Sequence, residues 1–196
     1  MTAGFDSAGT ATYARSLPAP FPVTMHLVPS HTRPSVEMLR KLVAFLTVSR
    51  DSNLALIHFI RDALEPFGAD IRLTYDDDKH KANLFATLGP RGEPGIALSG
   101  HTDVVPTEGQ DWTTDPFHMV EKDGKVYGRG TSDMKGFIAC VLAAVPAFME
   151  RGLKTPLHLA FSYDEEVGCI GVGRLISDLQ RAACARARAS SASRPR

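Results

Sequence analysis

Gly95-Ile96-Ala97-Leu98-Ser99-Gly100-His101-Thr102-Asp103 is the stretch on which the fold turns. Its apolar run, Ile96 to Leu98, is of the kind that fills a buried strand of a parallel sheet, and polar residues follow at once. Downstream, a polar loop region extends to about residue 132. Met134, Phe137, Ile138, Val141, Leu142, Val145, Phe148 and Met149 then recur at helical spacing. Pro146 falls inside that helix, and a kink or an early end is expected there, because proline removes a backbone hydrogen bond. Leu157, Leu159 and Phe161 alternate as a strand, and a last helix starts near Gly171 with Val172, Leu175, Ile176 and Leu179 on its apolar side. Upstream, Val36, Leu39, Leu42, Val43 and Leu46 predict a first helix. Leu56, Phe59, Ile60, Ala63, Leu64 and Phe67 predict a second, capped near Asp51 and Ser52 and stopped at Gly68. Ile71, Leu73 and Tyr75, then Leu84, Ala86 and Leu88, read as strands joined by a hairpin turn at Asp76–Asp78. The sum is an α/β fold: a mostly parallel sheet flanked by helices.

Composition bounds the function. The chain has 196 residues, 43% hydrophobic and 22% charged, an ordinary soluble mixture. Its 22 basic and 22 acidic residues cancel, which argues against an electrostatic grip on nucleic acid. No apolar run is long enough to span a membrane. Cys140, Cys169 and Cys184 form neither a disulfide framework nor a thiolate zinc site, so a reducing, cytoplasmic setting is expected. The charge is uneven, because five arginines and no acid lie in residues 181–196. Residues 1–33, rich in Ala, Ser, Thr and Pro, read as a loose extension. Residues 34–180 read as the folded body, and 181–196 as an Arg/Ala/Ser-rich tail.

Three polar clusters follow strands or open helices: His101-Thr102-Asp103, Ser132-Asp133 and Asp164-Glu165-Glu166. Ligands of open α/β sheets bind beyond the carboxyl ends of strands, so these groups should meet at one edge. One imidazole with several carboxylates suits zinc, cobalt or manganese better than calcium. His101 and Asp103 leave an extended backbone on the same face, where Asp103 can hydrogen-bond the ring and fix its tautomer. Asp133 has two oxygens with which to bridge metals. Glu165 and Glu166 point in different directions, so one can bind metal while the other works as a general base. Taken singly, a His-x-Asp is usually a surface hydrogen bond, an acidic pair a solvated loop, and an Asp before a helix an N-cap. Their joint placement at strand ends favours a site. Cys140 reads as a small core residue, and His158 as a packed or exposed ring. The spacing of Gly168, Gly171 and Gly173 is not that of a phosphate loop.

Three motifs carry a resemblance. Ser99-Gly100-His101-Thr102-Asp103-Val104-Val105-Pro106, Gly128-Arg129-Gly130-Thr131-Ser132-Asp133-Met134-Lys135-Gly136 and Ser162-Tyr163-Asp164-Glu165-Glu166-Val167-Gly168-Cys169 resemble the metal motifs of the dinuclear zinc aminoacylase and carboxypeptidase family. The likeness covers about residues 35–180. It implies a zinc-peptidase-like catalytic domain holding two divalent metal ions, Zn2+ or Co2+. His101 would bind one ion, Asp133 would bridge both and Glu166 would bind the other. Glu165 would be the general base, and Asp103 would orient His101. The implied reaction is hydrolysis of an N-acyl amino acid. In the branch it most resembles, N-acetylornithine gives ornithine and acetate for arginine synthesis. The alternatives are another N-acyl-amino-acid hydrolase such as succinyl-diaminopimelate desuccinylase, a metallo-carboxypeptidase or dipeptidase, and a non-catalytic metal-binding fragment. The implied partner is a small N-acyl amino acid, with neither nucleic acid nor membrane.

The resemblance departs in two places. Leu46 stands where the family usually has proline. After about Leu179 the family continues with another carboxylate ligand, a lid or dimerisation domain and a final histidine ligand, whereas this chain reads Arg181-Ala182-Ala183-Cys184 into its basic tail. The expectation is an incomplete, frameshifted or truncated catalytic domain without the lid, weakly active or inactive and prone to aggregate. The homodimerisation of full-length relatives is not carried over.

Overall fold

The structure, a computed structural model, describes residues 33–91 and 94–192. The expected N-terminal extension therefore lies outside the described residues, apart from Arg33. The elements are α1 (Pro34–Val43), α2 (Leu54–Leu64), a 3-10 turn (Glu65–Phe67), β1 (Asp70–Tyr75), β2 (Ala82–Leu88), β3 (Ile96–His101), β4 (Val120–Lys122), β5 (Lys125–Tyr127), α3 (Lys135–Arg151), β6 (Leu157–Ser162) and α4 (Ile170–Ala192).

β1, β2, β6 and β3 form one sheet in that order. β1–β2 and β2–β6 are antiparallel and β3–β6 is parallel, so the sheet is mixed rather than mostly parallel. The cause is the short hairpin between β1 and β2, which can only join antiparallel strands. Asp76 closes it by accepting hydrogen bonds from the amides of His80 (2.7 Å) and Lys81 (3.0 Å). Nor is β3 buried, as its sequence suggested. With β1, it is one of the two edge strands among the described residues, and Ile96 is 60% exposed. β3 and β6 run side by side with His101 opposite Ser162. Their polar continuations therefore leave the sheet at the same end.

Period-2 alternation sorts the side chains. Leu84, Ala86 and Leu88 of β2 and Leu157, Leu159 and Phe161 of β6 face the core shared with α1, α2 and α3. The other face meets α4 through Asn83, whose side chain donates to Gly171 O (2.9 Å) and accepts from Tyr163 N (3.2 Å). His158 on that face stacks on Phe85 and lies 2.9 Å from Thr87 Oγ1, a packed ring.

Helix boundaries differ from expectation where tertiary context decides. Leu46 lies beyond the end of α1 and is 62% exposed. α2 begins at Leu54, because Asn53 is spent on Ala82 N, Ala82 O and Thr102 Oγ1 (2.9 Å each) rather than on capping. α3 runs through Pro146 to Arg151; the proline is exposed, so water can reach the freed carbonyl of Leu142. Cys140 is exposed, not core: it lies on the outer face of α3 with Phe137. The expected polar loop contains the β4–β5 hairpin, whose turn at Asp123-Gly124 has φ of 53° and 72°. α4 continues to Ala192, past Leu179 and across most of the Arg/Ala-rich segment, consistent with the helix propensity of Ala and Arg. No described helix is long and apolar enough to cross a membrane.

Candidate metal centre

The floor of the site is a polar weave beneath the ends of β3 and β6. Thr102 donates to Ser162 O through both its amide (2.8 Å) and its hydroxyl (2.9 Å), extending the parallel pairing by one residue. Thr47 Oγ1 donates to Thr102 O (2.6 Å), and Val48 bridges Val104, so the α1–α2 loop lies along the chain leaving β3. Asp103, only 2% exposed, is the hub. Its carboxylate accepts from Ser49 Oγ (2.7 Å), Glu165 N (3.1 Å) and Glu166 N (3.2 Å).

His101 stands at the end of β3 with Nδ1 2.9 Å from the Asp103 carbonyl oxygen and 3.6 Å from its Oδ1. The short contact to the ring thus comes from the backbone of Asp103, and its carboxylate chiefly holds the Glu165–Glu166 turn. Sequence spacing could not separate these two tasks of one residue. His101 Nε2 lies 3.0 Å from Asp133 Oδ1 and 3.8 Å from Glu165 Oε2. A Cβ at Gly100 would sit 2.9 Å from Met134 Cε and 3.4 Å from Phe137 Cδ1, so the flexible tip of the Met134 side chain would have to shift. The Asp133–Met134 peptide is cis.

Ligand atoms of His101, Asp133 and Glu166 all lie within 4.8 Å of one another. The acidic trio divides: Glu165 and Glu166 face this cluster, whereas Asp164 turns to Lys81 Nζ at 2.6 Å. The electrostatics are those of crowded carboxylates. Burial of His101 opposes its charge, but Asp103 and Asp133 outweigh that and raise its pKa to about 9. Burial also pushes the Asp103 carboxyl up, yet His101, Ser49 and the amides of Glu165 and Glu166 hold it below the usual range. Burial, then the charge of Asp133, raises the Glu166 carboxyl. A cation would relieve the repulsion on the Glu166 carboxylate, and a metal would have to displace the proton from His101 Nε2. One imidazole and two carboxylates are a donor set for zinc or a similar divalent ion, and bonds of about 2.0–2.2 Å require only a modest inward shift of these side chains. The residues fit the group.

Lys135 went unremarked in the sequence. It is fully buried, donates to Phe45 O (2.7 Å), and burial lowers its pKa to about 7. The signal was its helical spacing with Ile138, Ala139 and Leu142, which puts it on the inner face of α3. His118 is exposed; Arg129 lies over Trp112 and bonds Gln110, away from the donor set. Cys169 is exposed, with Sγ 3.6 Å from Glu165 Oε1.

Comparison with known proteins bears on this geometry. Residues 97–191 match the profile of peptidase family M20/M25/M40. The acetylornithine deacetylase of Proteus mirabilis (strain HI4320) is 40% identical over 143 residues, which cover 69% of this chain and 37% of that protein. The chain thus spans less than half the length of the curated relatives it matches. Human carnosine dipeptidase 1 superposes with a TM-score of 0.64 at 27% identity, covering 74% of this chain and 34% of that one. The M20 family metallo-carboxypeptidase Sso-CP2 of Sulfolobus solfataricus superposes at 0.65 and 18% identity, covering 75% and 34%, a likeness of fold.

Proposed function

Because the chain carries a domain of peptidase family M20/M25/M40, we propose that its site hydrolyses the N-acetyl amide of N-acetylornithine, giving ornithine and acetate. His101, Asp133 and Glu166 would hold divalent metal, zinc or cobalt, and the two carboxylate oxygens of Asp133 would let it serve more than one ion. The observation that carries the reading is the convergence of these three side chains within 4.8 Å, with Glu165 Oε2 only 3.8 Å from His101 Nε2. When bound, the metal supplies Lewis acidity, polarising the amide carbonyl and bringing the pKa of water to about 7. Glu165 is half exposed, its amide held by Asp103 and its carboxylate met only by the weak Cys169 Sγ donor and, at 3.8 Å, His101 Nε2, so it can take a proton from the attacking water and return it to the departing amine. Asp103 fixes the ring of His101 through its carbonyl and the backbone of Glu165 and Glu166 through its carboxylate.

The test is ornithine release by the purified, Co2+-loaded chain. Glu165→Gln should lower the rate by about 10²–10⁴-fold with bound Co2+ unchanged. A Glu165→Gln variant as fast as wild type would sink the assignment of the base. The 27% identity to carnosine dipeptidase 1 favours a second reading, dipeptide hydrolysis at the same centre. A dipeptide assayed alongside separates the two, and Co2+ binding without turnover of either substrate would leave a metal-binding module.

A further inference from the structure

The acidic turn after β6 is held by a tie outside the donor set. Lys81, at the start of the β2 side of the hairpin, donates from Nζ both to Asp164 Oδ1 (2.6 Å) and to the carbonyl oxygen of Ser49. The two charged side chains are only 13% and 14% exposed. A pair so withdrawn from water is screened far less than a surface ion pair, and breaking one half strands the other charge. Asp164 is also one of the described non-glycine residues with positive φ, at 55°. That backbone is uncommon for a side-chain-bearing residue and persists when its surroundings impose it. The tie closes a ring. Lys81 grips Asp164 and Ser49, Ser49 Oγ grips Asp103 (2.7 Å), and Asp103 grips the amides of Glu165 and Glu166, the two residues after Asp164. The ring joins four segments: the α1–α2 loop, the β1–β2 hairpin, the chain leaving β3 and the turn after β6.

We propose that Lys81 is a positioning residue: through Asp164 and Ser49 it sets the backbone of the Glu165–Glu166 turn, and so the angle at which these carboxylates meet His101 and Asp133. The inference rests on the metal-centre reading and adds to it a residue remote from the donor atoms. Its chemistry explains the choice of side chain. An ammonium offers three donors on a flexible stem, enough for one carboxylate and one carbonyl at once. By occupying Asp164 it also removes a neighbouring carboxylate from competition for the cation.

Two readouts on the full chain test this. The first needs no metal: amide hydrogen exchange at Glu165 and Glu166 should quicken about tenfold or more in Lys81→Met. The second is Co2+ titration followed by calorimetry and visible absorption. Lys81→Met should weaken affinity by about 10–100-fold, the size seen when groups supporting metal ligands are removed. Lys81→Arg should restore both readouts to within about threefold of wild type, because it keeps the cation and a fork of donors. Unchanged exchange and unchanged Co2+ affinity in a folded Lys81→Met variant overturn the proposal. If Lys81→Met fails to fold, Asp164→Asn decides in the same sense, since it removes the opposite charge with little change of shape. Wild-type protein that binds no Co2+, together with faster exchange in Lys81→Met, supports the tie and overturns the metal-centre reading instead.

Discussion

A buried ammonium with one hydrogen bond is an expensive thing to fold, and Lys135 is such a group. Its folded pKa of about 7 lies below the unfolded value of 10.5. Between those limits the unfolded chain holds more protons, so stability rises with pH by up to about 1.4 kcal/mol per unit from this group alone. Below pH 7 the cost is present in full; above about 10.5 it is gone. Lys135→Met deletes the charge while filling most of the space. It should raise unfolding free energy by a few kcal/mol near pH 6, an advantage that shrinks toward pH 10. There the lost hydrogen bond to Phe45 costs about 1 kcal/mol. Urea unfolding of both proteins across that range is the check, and parallel curves would refute it. The difference between variants cancels the titration of His101 and the other groups.

Beside the apolar core, a few buried amides join the elements. Asn83 is fully buried and ties three of them, with β2 carrying the side chain that reaches Tyr163 N after β6 and Gly171 O in α4. Gly171 must be glycine, since a Cβ there would stand 2.2 Å from Tyr163 O. Asn83→Ala leaves Tyr163 N without its acceptor and removes one bond to Gly171 O, and should cost about 1–3 kcal/mol, read from the urea midpoint; a loss below about 0.5 kcal/mol counts against it. Much at this scale was legible in the sequence. Gly68 ends the helical segment with φ of 70°, and alternation located β1, β2 and β6 because each has one face on the core. Alternation said nothing of partners, so the antiparallel pairings of β2 escaped it. β4 and β5 were invisible because three residues make too short a pattern, although the Asp123-Gly124 turn was there to be noticed. The site was legible as a set of residue types at strand ends. The separate work of Asp103's carbonyl and carboxylate, and the diversion of Asp164 to Lys81, depend on contacts between segments far apart in sequence.

For the whole molecule, β3 is where order meets solvent. Among the described residues it pairs on one side only, with Ile96 60% exposed and Ala97 and Ser99 exposed beside it. An unpaired strand edge carrying an apolar side chain is a template for other strands. Ile96→Lys should therefore lower concentration-dependent association in light scattering without shifting the melting temperature by more than about 2–3 °C, since a mostly exposed side chain contributes little to stability. Equal association in both proteins would place the sticky surface elsewhere. The parallel β3–β6 pair also has a temporal meaning. Its strands cannot be joined by a hairpin, and the connection runs through the β4–β5 turn and all of α3. Contacts so distant along the chain form slowly, after local helices and the β1–β2 hairpin. His101 and Glu166 therefore remain strangers until that long loop closes. On the proposed metal-centre reading, the nascent chain would display its carboxylates separately, and affinity for a cation would arrive only when that loop closes.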